Sequence, residues 1–292
     1  MSNYHYLVAG LADITIDDDK IIYSFEKFKE EVYLAVTAKD RKLIDLVYQK
    51  YDQDNLLYLL LNLDKPRTSS EDLLTDQNRS QNRALFTIDE LTDMISTIRS
   101  GDEPSLKYPT YMVEYVGEFF NGDFEIDTPF AKNRLLTLFY RYTQTINNLF
   151  VKRWFEFNQD INNIITGYIA RNHLLDINSM IVGDNYVAKS ISHSSARDWG
   201  LSLEIDFFDE LSSIQEEKDL ILREKKTDIL RWRWLDDNSF FNYFSIERLF
   251  SFITKIEIVE RWISLEKDTG RQLFRSLIES LKQESKIPAE YR

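Results

Sequence analysis

Phe157 to Arg171 reads FNQDINNIITGYIAR, and this stretch decides how the chain is divided into helices. It contains an Asp, two intervening residues, an Asn and an aliphatic residue, at Asp160, Asn163 and Ile164. An Asp side chain favours the start of a helix because its oxygen accepts a hydrogen bond from a free backbone N–H. We therefore predict that Asp160 and Asn163 cap a new helix, whose apolar face follows them.

The same spacing occurs earlier, at Asp52 and Asn55 in the run YDQDNLLYLLLNL. A weaker third version is Ser245 with Arg248, where Ser and Arg replace Asp and Asn. Each version opens an apolar run with helical periodicity, directly after the expected end of another helix. The repetition predicts structural helix caps at both Asp–Asn pairs and a chain built from two or three related helical units. Within one all-helical domain over 1–292, the predicted units cover approximately 24–125, 128–200 and 201–285.

The composition favours long helices. Only 8 glycines and 5 prolines occur in 292 residues, while 43% of the residues are hydrophobic and 14% are aromatic. Few helix breakers and ample apolar material indicate an all-α protein with a sizeable core. The clearest element starts at Thr128 and Pro129, a capping residue followed by proline at the first helical position. We predict that this helix continues to about Phe157, over a length of about 40 Å, as the spine of the fold.

Local capping and loop signals divide the rest of the chain. Capping boxes, in which Ser or Thr is followed three residues later by Glu or Gln, predict helices from Thr87 to about Gly101 and from Ser213 to Trp234. The remaining expectations are a surface loop or weak helix over 67–83, a short helix over 111–120 that Asn121 and Gly122 end, a packed loop over 184–200, a helix over 245–267 and a separate last helix over 270–283.

The charge balance excludes some partners. Lys plus Arg number 36 against 49 Asp plus Glu, which gives a formal net charge of −13. A field of this sign repels nucleic-acid phosphates and anionic lipid, so we expect neither as a direct partner. There are no cysteines, which removes disulfides, thiolate zinc sites and Cys nucleophiles. The N-terminal segment lacks the pattern of a signal peptide and the apolar runs are too short to span a membrane, which predicts a soluble protein.

No residue pattern in the sequence identifies a catalytic reaction. The three histidines, His5, His173 and His193, form no pair with metal-ligand spacing, so we expect no metal site. The glycines form no phosphate-binding loop, so we expect no nucleotide cofactor. His193 lies among serines, but no glycine-flanked nucleophile elbow accompanies it. We interpret the chain as non-enzymatic, and the alternative is a hydrolase whose pocket gathers His173 or His193 with carboxylates.

Arg231-Trp232-Arg233-Trp234 is the most unusual local string. Alternating Arg and Trp could stack on bases, but the net negative charge disfavours nucleic acid. A buried Trp beside Arg side chains that lie along apolar surface is one interpretation. Arg and Trp are also enriched at the centres of protein interfaces, so the other interpretation is that these four residues belong to an interface.

Several stretches carry a resemblance to known families. The opening YHYLVAGL, residues 4–11, resembles the start of an uncharacterised bacterial family that is encoded in V-type ATPase operons. The junctions at 52–56 and 160–164, and the run FITKIE at 252–257, are similar to the socket component of the archaeal-type ATPase, designated C there and d in the eukaryotic enzyme. This resemblance implies an all-helical chain of three related units. The chain departs from the pattern at Ser245 and Arg248, and it is short for that component.

The resemblance implies a function without catalytic residues or cofactors. The protein would be a socket on the cytoplasmic face of the proteolipid ring, where it couples the ring to the central rotor shaft during proton or sodium transport. Its partners would be the central-stalk and ring subunits, and it would meet the inner face of the cell membrane only through the ring. The alternative is a free-standing helical adaptor or an assembly factor.

Overall fold

The computed structural model describes residues 4–20, 23–63, 83–242 and 244–284, with side chains described as far as Leu265. Across these ranges the secondary structure consists of α-helices and one 3-10 turn, without a β-strand, so the all-α prediction is confirmed. The helices in these ranges are α1 (His5–Ala9), α2 (Phe25–Ala35), α3 (Ala38–Leu61), α4 (Ile88–Arg99), α5 (Thr110–Asn121), α6 (Pro129–Thr143), α7 (Leu149–His173), α8 (Tyr186–His193), α9 (Phe208–Gln215), α10 (Leu220–Ser239) and α11 (Ile246–Glu284).

The chain divides into two compact units. One unit combines the residues up to Thr37 with those from Ser239 onward, and the other runs from Ala38 to Asn238. The predicted division into repeats over 24–125, 128–200 and 201–285 concerns internal similarity rather than compactness, and it stays a prediction.

The first unit is built on the packing of α2 against α11. Ser24 caps α2 by accepting a hydrogen bond from the Lys27 backbone N–H at 3.2 Å, as an N-cap serine should. The apolar face of α2 is fully buried, and the Phe28 ring lies 5.6 Å from the ring of Phe252 on α11. Glu260 of α11 accepts a hydrogen bond from the Phe25 backbone N–H at 3.0 Å. The start of α2 is therefore fixed both by its own cap and by α11.

The C-terminal region is one helix where the sequence predicted two. α11 continues from Ile246 to Glu284 and passes through Gly270 without a break. A glycine in a helix interior costs about 1 kcal/mol but leaves the backbone hydrogen bonds intact, so it does not have to end the helix. Ser245 directly precedes this helix, and its hydroxyl donates to the Asn242 carbonyl at 2.7 Å.

The second unit is a series of helices in which chain neighbours pack on each other. α5 packs between α4 and α6, and α7 contacts α6, α8 and α9. Three predicted boundaries are confirmed here: the capping box of Thr87 and Glu90 at the start of α4, the Thr128 cap with Pro129 at the start of α6, and the left-handed Gly122 after α5.

The predicted spine from Pro129 to about Phe157 is two helices. α6 ends at Thr143, and Asn148 caps α7 by accepting from the Val151 backbone N–H at 3.0 Å. Between them, the hydroxyls of Thr143 and Thr145 donate to carbonyls three residues earlier, at 2.8 and 2.7 Å. Polar side chains that bind nearby backbone compete with the helical hydrogen-bond pattern. The cluster of Thr and Asn residues over 143–148 was the sequence signal for this break.

The predicted helix caps at Asp52, Asn55, Asp160 and Asn163 are wrong as starts of their own helices. α3 continues through Asp52, and α7 continues through Asp160, so all four residues lie inside long helices. They are nevertheless buried, with exposed fractions of 0 to 7%. A buried polar group needs a partner. Asp52, Asp160 and Asn163 find theirs on segments that are distant in sequence.

Two further boundaries differ from the sequence predictions. The expected loop over 184–200 contains α8, which Asn185 caps by accepting from the Ala188 backbone N–H at 2.9 Å. Ser213 lies inside α9, and α10 instead begins after Asp219, whose carboxylate accepts from the backbone N–H groups of Ile221 and Leu222. α10 also continues past Trp234 to Ser239. Most of the expected loop over 67–83 lies outside the described residues.

Candidate functional site

Asp52 on α3 holds the chain segment that leads into α4. Its Oδ1 atom accepts hydrogen bonds from the backbone N–H groups of Leu85 at 2.9 Å and Phe86 at 3.0 Å. Thr87, the N-cap of α4, is the next residue. A carboxylate in the middle of one helix therefore fixes the position at which a later helix begins. We call this contact the α3 junction.

Asn163 on α7 makes a similar contact with the segment before α8. The Val182 backbone N–H donates to Asn163 Oδ1 at 3.0 Å, and Asn163 Nδ2 donates to the Val182 carbonyl at 2.9 Å. Gln159 Nε2 donates to the same carbonyl at 2.9 Å. One turn away, Asp160 Oδ1 accepts from Asn185 Nδ2 at 2.8 Å, and Asn185 is the N-cap of α8. We call this set of contacts the α7 junction.

Gly183 allows the close approach of the chain at the α7 junction. Its φ angle is 81°, which favours glycine, and a Cβ atom there would lie 2.1 Å from Gln159 Nε2. The Gly183 backbone N–H donates to Thr137 Oγ1 on α6 at 3.0 Å. The segment is thus bound from both α6 and α7, and a side chain at this position would have to displace the end of the Gln159 side chain.

The α7 junction holds a carboxyl group with an unusual proton affinity. Burial raises the pKa of Asp160 to about 7, from an ordinary value of 3.8. The hydrogen bond from Asn185 opposes this increase, and the nearby charge of Glu156 adds to it. Protonated and ionised forms of Asp160 are therefore both populated near neutral pH.

Arg231 binds the opposite side of the same polar stretch of α7. Its Nε atom donates to Asn158 Oδ1 at 3.0 Å, and its NH2 group donates to Asn162 Oδ1 at 3.2 Å. Its NH1 group pairs with Asp228, one turn earlier on α10, at 3.0 Å, and Asp228 is only 1% exposed. The guanidinium group therefore fastens α10 to α7 and compensates a buried charge.

Trp234 continues the contact of α10 with α7. Its ring stacks on Phe157 with a centroid separation of 5.3 Å and an interplanar angle of 18°, and it lies 5.4 Å from Trp154. Arg233 is half-exposed and pairs with Glu210 of α9, and Trp232 is partly buried. Arg231 and Trp234 thus have roles within the chain, and the interface role predicted for the four residues stays a prediction.

The histidines of the hydrolase alternative lie apart from any polar cluster described above. His173 is the exposed last residue of α7, and the exposed His193 contacts the carbonyl of Lys189 in its own helix at 2.8 Å through its ring. Among the described side chains, no group of three His, Cys, Asp or Glu residues is arranged to hold a metal ion. The first unit contains a cavity of about 20 Å³ beside Tyr23 and Ile256, which is room for about one water molecule.

A helix that spans a membrane must be both long and apolar. Within the described part of the chain, none of the helices is both long enough and apolar enough to cross a bilayer.

Comparison with known proteins adds one finding to this geometry. The model of a family described as proteins of unknown function (DUF2764) matches residues 1–285. The chain belongs to this family. No curated protein and no solved structure matches the chain. Membership of DUF2764 covers nearly the whole sequence, so both junctions and the Arg231 contact lie inside the region that defines the family.

Proposed function

We propose that this chain is a non-catalytic subunit of a bacterial V-type ATPase that couples the central rotor shaft to the proteolipid ring, on the cytoplasmic face of the membrane. The proposal starts from the resemblance of the opening residues and of the two junctions to proteins of that complex. The observation that carries it is one arrangement that occurs twice. An Asp-x-x-Asn pair lies inside a long helix, and Asp52 of the first pair and Asn163 of the second bind the segment before the cap of a later helix.

The two junctions favour a mechanical role over a catalytic one. α3 has 24 residues and α7 has 25, so each is about 36 Å long. Hydrogen bonds that are partly or fully buried attach the segment before another helix to the middle of each, which resists relative motion of the helices. A subunit that transmits torque between a shaft and a ring needs this stiffness. A catalytic site would instead need a concave pocket with convergent polar groups.

The charge distribution supports a basic partner. The segment from 198 to 210 carries five Asp or Glu residues and no Lys or Arg. Leu203 in this segment is 95% exposed, and the side chains of Glu204 and Asp206 are also exposed. Acidic side chains around an apolar one fit a basic helix that also carries apolar residues. A helix of the shaft is the partner we expect at this surface.

The proposal is tested by affinity purification of the tagged protein from native membranes, with identification of the co-purifying proteins. We expect the shaft and proteolipid subunits to be recovered in a constant ratio to the tagged chain. The double variant Glu204→Lys/Asp206→Lys is expected to reduce recovery of the shaft, because it lowers the negative charge of the segment from 198 to 210 from −5 to −1. Asp102→Lys/Glu103→Lys, which makes the same charge change at two exposed positions in a distant part of the sequence, is the matched control.

Two outcomes would contradict the proposal. Recovery of these subunits only from immature complexes would identify an assembly factor instead of a coupling subunit. A protein that is purified without any ATPase subunit would remove the ATPase link altogether and favour a free-standing adaptor.

A further inference from the structure

Three phenylalanines are exposed at the turn between α10 and α11. The side chain of Phe240 is 70% exposed, that of Phe241 is 91% exposed and that of Phe244 is 37% exposed. The rings of Phe240 and Phe241 stand perpendicular to each other with a centroid separation of 5.1 Å. We call these three residues the aromatic turn. Exposed apolar groups of this size are unfavourable in water and are therefore typical of contact surfaces.

Hydrogen bonds hold the aromatic turn in place. The Asn242 backbone N–H donates to the Ser239 carbonyl at 3.1 Å, and the Ser245 hydroxyl donates to the Asn242 carbonyl at 2.7 Å. The Phe244 carbonyl accepts from the Tyr4 backbone N–H at 2.8 Å, and the Phe244 ring lies 4.0 Å from the ring of His5. These contacts fix the backbone of the turn and hold the ring of Phe244 against α1.

The aromatic turn is a short uncharged stretch, which Asp236 and Asp237 precede on α10 and Glu247 and Arg248 follow on α11. No Asp, Glu, Lys or Arg occurs from Ser239 to Ser245 or in α1, whose sequence is HYLVA. Tyr6 of α1 is itself 97% exposed. A neutral, aromatic surface on a chain with a formal net charge of −13 does not fit a strongly charged partner.

We propose that the aromatic turn inserts into the headgroup region of a zwitterionic lipid bilayer. Phenyl rings bury their apolar surface at the boundary between the headgroups and the acyl chains, as they do on the apolar face of interfacial helices. A neutral headgroup layer matches the uncharged stretch from Ser239 to Ser245, whereas anionic lipid would repel the acidic molecule. This inference goes beyond the proposed function, in which the chain meets the membrane only through the proteolipid ring, and it does not depend on that function.

The size and shape of the aromatic turn favour lipid over a protein partner. Three rings exposed to these fractions offer on the order of 400 Å², about half of the area that one partner contributes to a standard protein interface. The planes of the Phe240 and Phe241 rings are also perpendicular to each other, so the two rings do not form a flat patch. A fluid bilayer accommodates such a shape without a complementary groove.

The first test is flotation of the purified chain with phosphatidylcholine vesicles. We expect binding by the unmodified chain, and at least about a tenfold lower partition coefficient for Phe240→Ser/Phe241→Ser, because two apolar rings are removed from the contact. Leu106→Ser removes a side chain that is 102% exposed elsewhere and should leave the binding unchanged. Vesicles with added phosphatidylserine should bind the chain more weakly. All three positions are exposed, so the variants should keep the thermal unfolding curve of the parent.

The second test measures insertion directly and does not depend on a loss of binding. The parent contains five tryptophans, and the quenching of their fluorescence by brominated phosphatidylcholine is the background. Phe241→Trp should be quenched more strongly than this background, and Leu106→Trp should not. Equal flotation of the parent and the double phenylalanine variant, or no additional quenching of Phe241→Trp, would overturn the proposal. A parent chain that ignores vesicles but loses a protein partner when both phenylalanines are replaced would overturn it in favour of a protein interface.

Discussion

The α3 junction and the α7 junction have the same residue spacing, but different residues make the main contact in each. Asp52 binds two backbone N–H groups directly, so its carboxylate is the main contact with the following segment. At the α7 junction Asn163 binds the backbone, and Asp160 binds only the side chain of the Asn185 cap. The amide nitrogen of Asn55, the counterpart of Asn163, has no hydrogen-bond partner among the described residues. The spacing therefore predicts a buried polar contact but not which of its two residues bears it.

Replacement of Asp52 should have the largest effect on stability. Asp52→Ala removes the acceptor of two backbone N–H groups, and an unpaired buried donor costs about 1 to 3 kcal/mol. We expect the free energy of unfolding, measured with urea, to fall by about 3 kcal/mol. Asp102→Ala, at an exposed loop position, should change it by less than about 0.5 kcal/mol. A decrease as small as that of the control would mean that the α3 junction contributes little to the fold.

Gly183→Ala tests the close approach at the α7 junction and should have the second largest effect. The new Cβ atom would displace the end of the Gln159 side chain and so remove its hydrogen bond to the Val182 carbonyl, in addition to the strain at a φ of 81°. We expect a loss of about 2 to 3 kcal/mol in urea unfolding. Gly101→Ala is the matched control, because φ is 82° there and nothing lies within 4 Å of the added atom. Equal losses in both variants would mean that backbone strain alone accounts for the effect.

The sequence predicted the helical class and several helix starts, because capping boxes, Thr128 with Pro129 and Asn121 with Gly122 act over one turn of chain. It failed where the partner of a side chain lies far along the chain. Asp52 binds residues 33 and 34 positions away, so its local resemblance to a helix cap was misleading. Arg231 was placed in an interface or in the core from its type alone, while its contacts with Asn158 and Asn162 follow from the packing of α10 on α7.

The smallest expected effect is a pH dependence of stability that comes from the α7 junction and not from the α3 junction. The folded-state pKa of Asp160 is raised to about 7 from 3.8, so folding favours the protonated form. Its contribution is complete below about pH 4 and is lost as pH rises through about 7. The free energy of unfolding of the parent, relative to that of Asp160→Asn, should therefore fall by up to about 2 kcal/mol between pH 5 and pH 8.

Asp198→Asn is the control, because Asp198 is exposed and its hydrogen bonds lower its pKa. The free energy of unfolding of this variant should depend on pH between 5 and 8 in the same way as that of the parent. If Asp160→Asn also keeps the parent's pH dependence, the carboxyl group is ionised throughout, and the α7 junction resembles the α3 junction more closely than its contacts imply.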